Sequence, residues 1–441
     1  MSKVRPNESP KILLVAEHAS ATFGGEALIP LQYFQRLREM DVDVHLLVHE
    51  RTKKELRGAF PHDLERLHFV TDSFVNIWCD KIGKLMPDRL AVFTVGAASH
   101  LETQIRQRRL ARSLVGTHRF DIIHEPIPVS PKLPSILFGL SAPLIIGPMN
   151  GGMDYPPNYN LAGRLERFII LSLRSTAGFW NSILPGKRQA ALLLVANKRT
   201  YNALPAKLRK KRIFEFVENG VDVDLFRPES TSVKHGSFRI IYVGRLIDWK
   251  RVDLLIDACK RLSGSATFEL DIVGDGPKRV ALEEQVRRLS LAGHVRFHGR
   301  LPQTAAAGLL RSADVMVLPS MRECGGAVVL EAMASGVPVI AADWGGPADY
   351  ITADTGILIA PATPDMFVDE LAKAILSMAR NPQAQAKIGQ AGRRRAEALY
   401  DWRAKTRALM KIYEDVLSTR RTETSAECIL ISTSSPSSRV G

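Results

Sequence analysis

The chain has 441 residues, of which 45% are hydrophobic and 24% are charged, and its formal net charge is +14. This length suits two or three ordinary domains, and the composition excludes a disordered or fibrous chain. The charge favours a polyanion, an anionic membrane surface or a phosphorylated substrate as partner. No RNA-binding signature accompanies the charge, so nucleic acid is not expected as a partner.

The first half of the chain alternates between short apolar runs and helical stretches. The apolar runs predict buried parallel strands at 11–16, 42–48, 120–124, 143–147 and 191–196. A turn at Gly24 and Gly25 follows the first strand, and a helix with regularly spaced apolar residues follows the turn. Strands that alternate with helices indicate a doubly wound α/β domain.

The same alternation starts again after a polar segment at 227–237, which we interpret as an interdomain linker. Strands are predicted at 238–243, 270–273, 295–298, 315–318, 337–341 and 356–359, and helices at 252–262 and 277–291. The predicted fold class is α/β, with two doubly wound Rossmann-like domains facing each other across a cleft. Ligands of such sheets bind beyond the carboxyl ends of the strands.

These elements divide the chain into four parts. We predict an N-terminal Rossmann-like domain at 1–228, a C-terminal domain at 229–398 and a final helix at 399–418. The remaining segment, 419–441, is rich in Ser and Thr, which indicates a disordered tail.

We expect neither a membrane span nor a secretion signal. No apolar run reaches the roughly 18 residues of a transmembrane helix. The apolar residues 12–16 are followed by Glu17 and are too few for a signal-peptide core. The four cysteines form no CxxC pair and have no zinc-site spacing, which is typical of free thiols in a reducing compartment. A cytoplasmic protein is therefore expected.

Two cations follow the first strand of the second half. Gly244 ends this strand, and Arg245 and Lys250 come after it, five positions apart. A glycine permits close approach of a ligand, and Arg and Lys neutralise phosphate oxygens, so the pattern suits a diphosphate. A solvated turn before a basic helix start would give the same pattern.

Two glutamates, Glu323 and Glu331, flank a glycine-rich turn eight positions apart. Gly325 and Gly326 in this turn would expose backbone N–H groups at a helix N-terminus, which is an anion site. Each carboxylate could accept hydrogen bonds from two sugar hydroxyls. The alternative is a capping Glu and an ordinary helical Glu. The apolar residues around Glu331 predict a buried acid that needs a partner.

Four motifs occur in order over roughly residues 225–415: Gly244-Arg245-Leu246 with Lys250, Val-Gly-Asp-Gly-Pro at 273–277, Glu323 with Glu331, and Gly345-Gly346. In this combination the chain resembles the family 4 glycosyltransferases. The resemblance implies a GT-B fold, a nucleoside-diphosphate sugar donor held mostly by the C-terminal domain, and transfer with retention of anomeric configuration. It also implies that the final helix crosses back to the N-terminal domain.

The resemblance gives the second-half motifs their roles. It implies that Arg245 and Lys250 bind the donor diphosphate, that Glu331 binds the ribose, and that Glu323 is a catalytic residue on the donor sugar. It also implies backbone contacts to phosphate or sugar from Gly325, Gly326, Ala327 and Val328, and a nucleobase region at His298, Gly299 and Arg300. The chain departs from the family at Gly325, where a large apolar residue is common, and at Asp349, where Glu is usual.

The first half resembles the family less closely. Gly24 and Gly25 match its glycine turn near the donor phosphates, and His124-Glu125-Pro126 matches a motif whose His faces the reaction centre, so His124 is a second catalytic candidate. A structural His at a strand end is the alternative. On the acceptor side we place Asn150, Gly151 and Asn219. Asn150 and Gly151 belong to a glycine-rich loop at 147–152, which a plain turn would also explain.

Basic residues cluster in the first half. One group is Arg106, Arg108, Arg109, Arg112 and Arg119, and another is Lys207, Arg209, Lys210, Lys211 and Arg212. The segment 164–184 mixes aromatic and aliphatic residues with Arg, as interfacial segments do. A solvated face and a core helix are the alternative. These features favour a lipid-carried acceptor at an anionic membrane surface.

The resemblance therefore implies a retaining glycosyltransferase that moves a sugar from a nucleoside-diphosphate sugar to a glycan or lipid-linked acceptor. On the same grounds we expect a role in bacterial cell-surface or exopolysaccharide synthesis, in the cytoplasm or on the inner face of the membrane. Neither a cofactor nor a metal ion is expected, because cations and helix N-termini can carry the charge of the diphosphate. The alternatives are a sugar phosphorylase or nucleotide-sugar epimerase of the same fold, or an inactive sugar-nucleotide-binding subunit.

Overall fold

The computed structural model describes residues 9–83, 85, 92–159, 176–229 and 236–432, without the side chains of 80, 92, 93 and 421–432. Within these residues the chain forms two compact units. The first unit takes the described residues of 1–149, 170–216 and 406–441, and the second takes those of 150–169 and 217–405.

The first unit is built on a parallel seven-stranded sheet. Its strands are β1 (Ile12–Val15), β2 (Val44–His49), β3 (Leu67–Val70), β4 (Ile122–Glu125), β5 (Leu144–Met149), β6 (Leu192–Val195) and β7 (Ile213–Glu215). They lie in the order β3-β2-β1-β4-β5-β6-β7, so the strand order reverses between β1 and β4. All four residues of β1, β4 and β6 are buried, as expected for strands of a sheet covered on both faces.

Helices surround this sheet. They are α1 (Gly25–Glu39), α2 (Lys53–Ala59), α3 (Phe74–Gly83), α4 (Ala97–His118), α5 (Ala177–Ile183), α6 (Gly186–Gln189) and α7 (Lys198–Ala203). The long helix α4 ends at Arg119, which has a left-handed conformation with φ of 52°. Side chains of α4 such as Ala111 and Leu114 pack on Leu13 and Ile123 of the sheet.

The second unit is built on a parallel six-stranded sheet. Its strands are β8 (Phe238–Val243), β9 (Phe268–Val273), β10 (Val295–Gly299), β11 (Val315–Leu318), β12 (Val339–Ala342) and β13 (Gly356–Ile359). Their order is β10-β9-β8-β11-β12-β13, with the reversal between β8 and β11. The helices are α8 (Val252–Leu262), α9 (Arg279–Arg288), α10 (Gln303–Arg311), α11 (Ala327–Ala334), α12 (Gly346–Tyr350), α13 (Pro364–Arg380) and α14 (Pro382–Leu399). A last helix, α15 (Trp402–Ser432), begins in the second unit, and its described residues from 406 onwards belong to the first.

The predicted pair of doubly wound α/β units is confirmed. Strands β8, β11 and β13 have the predicted bounds, and most other strands differ by one or two residues. The sequence did not predict β3 and β7, which lie at the two edges of the first sheet. Edge strands are covered less completely, so these two short strands lack the continuous apolar run of the central strands.

The unit boundaries differ from the predicted domain boundaries of 1–228 and 229–398. Residues 217–228 lie in the second unit, because Val221, Val223 and Phe226 are part of its hydrophobic core. Residues 150–159 also lie there. Helix α15 continues past the predicted end at 418 as far as Ser432, and its residues 402–405 belong to the second unit. Residues 230–235 of the predicted linker and 433–441 of the predicted tail lie outside the described residues.

None of the helices in the described part of the chain is both long enough and apolar enough to span a membrane.

Candidate functional site

The predicted donor motifs of the second unit follow the carboxyl ends of neighbouring strands. Arg245 follows β8, Arg300 follows β10 and Glu323 follows β11. Because the strands are parallel, these ends lie along one edge of the sheet, and β8 and β11 flank the point where the strand order reverses. This is the usual position of a ligand site in a doubly wound sheet.

The loops after β8, β9 and β10 are hydrogen-bonded to one another. The backbone N–H of Gly274 donates to the Gly299 carbonyl over 2.8 Å, and that of Leu246 donates to the Asp275 carbonyl over 3.0 Å. Gly274 has a φ of +134°, and a Cβ there would collide with the carbonyl oxygen of Gly244. Only glycine satisfies both conditions, so Gly274 lets the loops pack together.

Two of the predicted donor ligands contact each other. Lys250 and Glu323 form an ion pair through the Lys250 Nζ and a carboxylate oxygen of Glu323. Each of these two side chains is 15% exposed. Arg245, in contrast, is exposed, and its carbonyl accepts a hydrogen bond of 3.0 Å from the Tyr242 hydroxyl. The two predicted diphosphate ligands therefore differ, since only the cation of Lys250 is neutralised by Glu323.

The glycine-rich loop leads into helix α11. Gly326 is the N-cap residue of this helix, with a left-handed φ of +75°. Ala327 and Val328 form the first turn, whose N–H groups are those that an anion can use at a helix N-terminus. The carbonyl of Glu323 accepts a hydrogen bond of 2.7 Å from the N–H of Gly346, which joins this loop to the second predicted glycine motif.

Glu331 lies on α11 and is partly buried. Burial raises the pKa of its carboxyl to about 7, although a hydrogen bond with Gln303 acts in the opposite direction. Gln303 is the first residue of α10 and belongs to no motif, so the sequence did not reveal it as the partner that the buried acid requires.

A buried polar network supports the glycine-rich loop. The Asn150 amide donates to Glu218 Oε1 over 2.6 Å and to the Cys324 carbonyl over 2.8 Å. The Asn219 amide donates to the same Glu218 oxygen over 2.9 Å. A Cβ at Gly325 would collide with the Asn219 amide and with Glu218. Glycine at this position therefore allows the loop to approach the network.

This network includes residues that were predicted on the acceptor side. Asn150, Gly151 and Asn219 were placed on the acceptor side, but all three are buried in the second unit. Asn150 and Asn219 contact the glycine-rich loop that leads into α11, and the hydrogen bond from Asn150 to the Cys324 carbonyl spans 174 residues of sequence. Both amides therefore contact the segment that leads into α11 or the Glu218 carboxylate beside it.

The network includes two ionisable groups that the sequence did not single out. Burial raises the pKa of the Glu218 carboxyl. Burial also lowers the pKa of the Lys405 amine to about 7, an effect that the nearby Glu218 partly offsets. The Lys405 Nζ donates to the Val217 carbonyl. This contact joins Val217, where the longer segment of the unit begins, to Lys405, where that segment ends.

In the first unit, His124 does not face an open site as predicted. Its side chain is fully buried, with Nδ1 at 2.7 Å from the Tyr413 hydroxyl and Nε2 at 2.6 Å from the Gly147 carbonyl. Because a carbonyl can only accept, Nε2 carries the proton and Nδ1 accepts from the hydroxyl. Burial lowers the pKa of His124 to about 4, so the ring is neutral. It links β4, β5 and α15.

The remaining predicted residues lie at or next to the ends of helices and strands. Gly24 and Gly25 are exposed at the start of α1. His298 is on β10, where its Nε2 is 2.7 Å from Asp271 Oδ1 of the neighbouring strand β9. Gly299 and Arg300 follow it at the strand end, and Arg300 is exposed.

The predicted basic clusters lie partly on α4. Arg109 and Arg112 are exposed there, whereas the guanidinium of Arg108 stacks over the Phe138 ring at 3.7 Å. The second cluster, Lys207–Arg212, lies between α7 and β7. Of the predicted interfacial segment 164–184, residues 164–175 lie outside the described residues. The rest forms α5, where Phe179 and Trp180 are exposed.

Known protein families and relatives match the second unit of the chain. Residues 226–395 match the family model of glycosyl transferases group 1. The chain is 33% identical over 199 residues to a glycogen synthase of Mycobacterium tuberculosis, a match that covers 45% of this chain and 47% of that protein. The chain thus spans about half the length of this relative.

A second relative matches over a longer range. It is the GDP-mannose-dependent monoacylated alpha-(1-6)-phosphatidylinositol monomannoside mannosyltransferase of Corynebacterium glutamicum, which is 28% identical over 299 residues. The match covers 62% of this chain and 74% of that protein.

Solved structures are similar over almost the whole chain. Anabaena HepE in complex with UDP has a TM-score of 0.64 at 18% identity, covering 92% of this chain and all of that chain. Sucrose-phosphate synthase from Thermosynechococcus elongatus has a TM-score of 0.65 at 19% identity, covering 93% of this chain and all of that one. The protein therefore has two Rossmann-like units of the GT-B class, and its residues 226–395 match the glycosyl transferases group 1.

Proposed function

We propose that this protein is a retaining glycosyltransferase of family 4 that uses a nucleoside-diphosphate sugar. One observation carries the proposal: Arg245, the Lys250–Glu323 pair and the glycine-rich N-terminus of α11 lie along one edge of the second sheet. This edge lies within the stretch that matches the glycosyl transferases group 1.

Each group has a chemical task in the proposed reaction. Negative charge builds on the diphosphate as the bond from the sugar to its leaving oxygen breaks. Arg245, Lys250 and the first N–H groups of α11 neutralise that charge. To reach the diphosphate, Lys250 gives up part of its contact with Glu323, whose carboxylate then accepts from the sugar hydroxyls. Glu331 accepts from the ribose hydroxyls. These roles require neither a cofactor nor a metal ion.

We further propose a glycan or lipid-linked acceptor and a role in cell-surface or exopolysaccharide synthesis. The name of the Corynebacterium relative, which acts on a phosphatidylinositol mannoside, supports a lipid-linked acceptor. The glycogen synthase relative supports a glycan. One relative is named as a mannosyltransferase and the other as a synthase, and neither is named as a phosphorylase or an epimerase.

We also propose that the first unit attaches the protein peripherally to anionic membranes on the cytoplasmic side. Helix α3 exposes Phe74 and Trp78 to 74% and 53%, and α5 exposes Phe179 and Trp180. Exposed aromatic side chains next to basic residues are typical of interfacial segments. The exposed Arg109 and Arg112 supply basic charge in the same unit.

Calorimetric titration of UDP, GDP and ADP, followed by a turnover assay with the matching sugars, tests the proposed function. We expect one diphosphate to bind, and Arg245→Ala or Lys250→Ala to weaken it by about 1–3 kcal/mol, the range of a charge-assisted contact. A matched control is Arg287→Ala, since Arg287 pairs with Glu284 on the exposed face of α9.

The products separate the alternatives. A transferase gives an α- or β-glycoside, whose anomeric configuration is read by NMR and matches that of the donor if transfer is retaining. An epimerase alters the donor sugar without transfer, a phosphorylase requires inorganic phosphate, and an inactive subunit binds without turnover. Absence of binding by all three diphosphates would refute the proposed donor site.

A further inference from the structure

A cavity of about 530 Å³ opens at the amino edge of the first sheet. Three of its lining residues, Pro143, Ala191 and Arg212, directly precede β5, β6 and β7. The other walls come from the loop at 137–142 and from residues of α15. The volume is within the usual range of roughly 300–1,000 Å³ for small-molecule sites.

This edge is opposite to the one at which doubly wound sheets usually bind their ligands. Strand β5 has six residues, which at about 3.3 Å per residue place the cavity roughly 17 Å from the carboxyl edge. A small molecule in the cavity therefore does not reach the carboxyl edge of the sheet, and the cavity is a separate candidate site.

The two basic clusters of the first half meet at this cavity. The second cluster supplies Lys211 and Arg212, which line it. The first cluster supplies Arg108 and Arg112 of α4, which lie against the loop at 137–142. A Cβ on Gly139, which also lines the cavity, would be 3.6 Å from the Nη2 atoms of both arginines. The fold thus brings together cations that lie far apart in the sequence.

Three of these cations are not neutralised by a carboxylate. Among the described residues, no Asp or Glu pairs with Arg108, Arg112 or Lys211. By contrast, Arg106 on the same helix pairs with Glu102. Burial lowers the pKa of Arg108, and the nearby charge of Arg112 lowers it further. Like charges that are held close together repel one another, and a bound anion relieves this repulsion.

The cations at the rim of the cavity are accessible. The side chain of Arg212 is 39% exposed, pairs with Asp415 and donates to the Thr419 hydroxyl over 3.2 Å. Arg420 lines the cavity, is exposed and donates to the Ser141 carbonyl over 3.1 Å. A guanidinium has five N–H groups, so Arg212 keeps donors that its two contacts do not use.

Much of the remaining lining is apolar. Phe138, Leu140 and Val416 contribute to it. The Phe138 ring is held by Arg108, whose guanidinium stacks on it at 3.7 Å and whose Nε donates to the Phe138 carbonyl over 2.9 Å. The cavity therefore suits a ligand that combines an anion with an apolar part. A phosphate monoester offers three strong acceptor oxygens, one more than a carboxylate, and so suits several cations at once.

We propose that this cavity binds a phosphate group attached to an apolar body, at a site separate from the proposed donor site. The proposal goes beyond the glycosyltransferase function and does not depend on it. Lys211 and Arg212 contact the phosphate oxygens, the guanidinium groups of α4 add positive charge, and the apolar part packs on Phe138 and Leu140. A free phosphate ester and the headgroup of a phospholipid share this chemistry.

Calorimetric titration of the full chain with phenyl phosphate, inorganic phosphate and phenol tests the proposal. We expect phenyl phosphate to bind most tightly, inorganic phosphate more weakly because it has no apolar part, and phenol not measurably. Lys211→Gln should weaken phenyl phosphate by about tenfold, because a hydrogen bond between two charged groups is lost. The matched control is Lys210→Gln, since Lys210 is exposed and carries the same charge but does not line the cavity.

A second pair of variants on α4 keeps the test readable if Lys211→Gln fails to fold. Arg109 and Arg112 are both exposed, but only Arg112 reaches Gly139. Arg112→Gln should therefore weaken phenyl phosphate more than Arg109→Gln does. Thermal melting of every variant checks that each is folded.

Vesicle binding distinguishes the two sources of the phosphate. If the phosphate belongs to a lipid headgroup, Lys211→Gln should lower co-sedimentation with phosphatidylglycerol vesicles more than Lys210→Gln does, and phenyl phosphate should compete with the vesicles. If it belongs to a free ester, the two variants should co-sediment equally, while only Lys211→Gln loses affinity for phenyl phosphate.

Phenyl phosphate could also occupy the proposed donor site, and Arg245→Ala separates the two sites. This variant should keep its affinity for phenyl phosphate, and Lys211→Gln should keep its affinity for the nucleoside diphosphate. The inference is wrong if phenyl phosphate does not bind, if phenol binds as tightly, or if Lys211→Gln and Lys210→Gln are alike. It is also wrong if Arg245→Ala loses phenyl phosphate binding and Lys211→Gln retains it.

Discussion

The two units share one architecture, but polar side chains and glycine-rich loops are arranged differently at the carboxyl edges of their sheets. In the second unit, the predicted donor groups lie on loops whose backbones are hydrogen-bonded to one another, as Gly274 and Gly299 are. In the first unit, side chains from distant segments meet at this edge, such as Glu17 and His100, which are 83 residues apart. Glycine-rich loops expose backbone N–H groups, whereas contacts between side chains do not require glycine.

This difference explains why the second unit carries more recognisable motifs than the first. Backbone recognition requires glycines at fixed positions after each strand, and these produce a spacing that can be read in the sequence. Recognition by side chains sets no spacing, because the residues come from different elements. Predictions about the second unit can therefore be tested by changing its glycines, and those about the first unit by changing its side chains.

The largest effect is expected for Gly325→Ala. The added methyl group would overlap the Asn219 amide and Glu218, so the donor loop must move away from its support. Overpacking of this kind costs about 1–3 kcal/mol, and displacement of the loop should lower diphosphate affinity and turnover together. The control is Gly293→Ala, since no atom lies within 4 Å of a Cβ at Gly293. Equal diphosphate affinity for the two variants would show that the network does not position the loop.

The next largest effect is expected when the Lys250–Glu323 pair is broken. Glu323→Gln should reduce turnover by about tenfold or more, because the carboxylate no longer holds the sugar in the transition state. Diphosphate affinity should stay the same or rise by up to about 1 kcal/mol, since Lys250 is freed from its partner. Glu331→Gln, in contrast, should lower the affinity for the diphosphate because contacts with the ribose are lost.

Calorimetry with the free diphosphate and donor kinetics measure both variants. Glu284→Gln is the control, because its carboxylate pairs with Arg287 on an exposed helix face. If Glu323→Gln weakens the diphosphate as much as Glu331→Gln does, the two carboxylates do not divide the donor between sugar and ribose.

Much of this fold could be predicted from the sequence, because apolar runs and glycine turns are local. The strands of the second unit and the motifs at their ends are examples. The role of Asn150 could not be predicted, because it depends on a contact with Cys324, 174 residues away. For His124 the sequence left a catalytic and a structural interpretation open and could not decide between them. All residues of β4 are buried on both faces of the sheet, so alternation along the strand does not show which side chains face a ligand.

A smaller effect is expected from pH. Burial raises the pKa of Glu331 to about 7, so its carboxyl gains the ionised form that accepts from ribose hydroxyls as the pH rises from about 6 to 8. Diphosphate affinity should increase over this range by up to about tenfold. The diphosphate also ionises over this pH range. The Glu331→Gln variant retains the pH dependence that comes from the diphosphate and loses the part that comes from Glu331. The difference between the two pH profiles therefore isolates Glu331, and parallel profiles would contradict the assignment.

The Glu331 carboxyl should also make the free energy of unfolding depend on pH, and the direction of this dependence follows from its raised pKa. Its pKa is raised in the folded chain, so between about pH 4.5 and 7 the folded state retains a proton that the unfolded state releases. The free energy of unfolding should therefore fall as the pH rises through this window and level off above it. Glu331→Gln removes this contribution, which denaturant titrations at pH 5 and pH 8 can measure.

The smallest effect is expected for binding to membranes. It tests whether the first unit alone attaches the protein to an anionic membrane. Phe74 on α3 and Val280 on α9 are equally exposed, at 74%, but lie in different units. If α3 inserts into the interface, Phe74→Ala should lower binding to vesicles containing phosphatidylserine by about 1 kcal/mol, because apolar surface no longer leaves the water. Val280→Ala should have no effect.

Binding should also weaken as salt rises, since basic residues near an anionic surface contribute about 1 kcal/mol each and are screened. Co-sedimentation with anionic and with neutral vesicles measures both effects. Equal losses for the two variants, or equal binding to the two kinds of vesicle, would mean that the exposed aromatic side chains of α3 do not attach the first unit to a membrane.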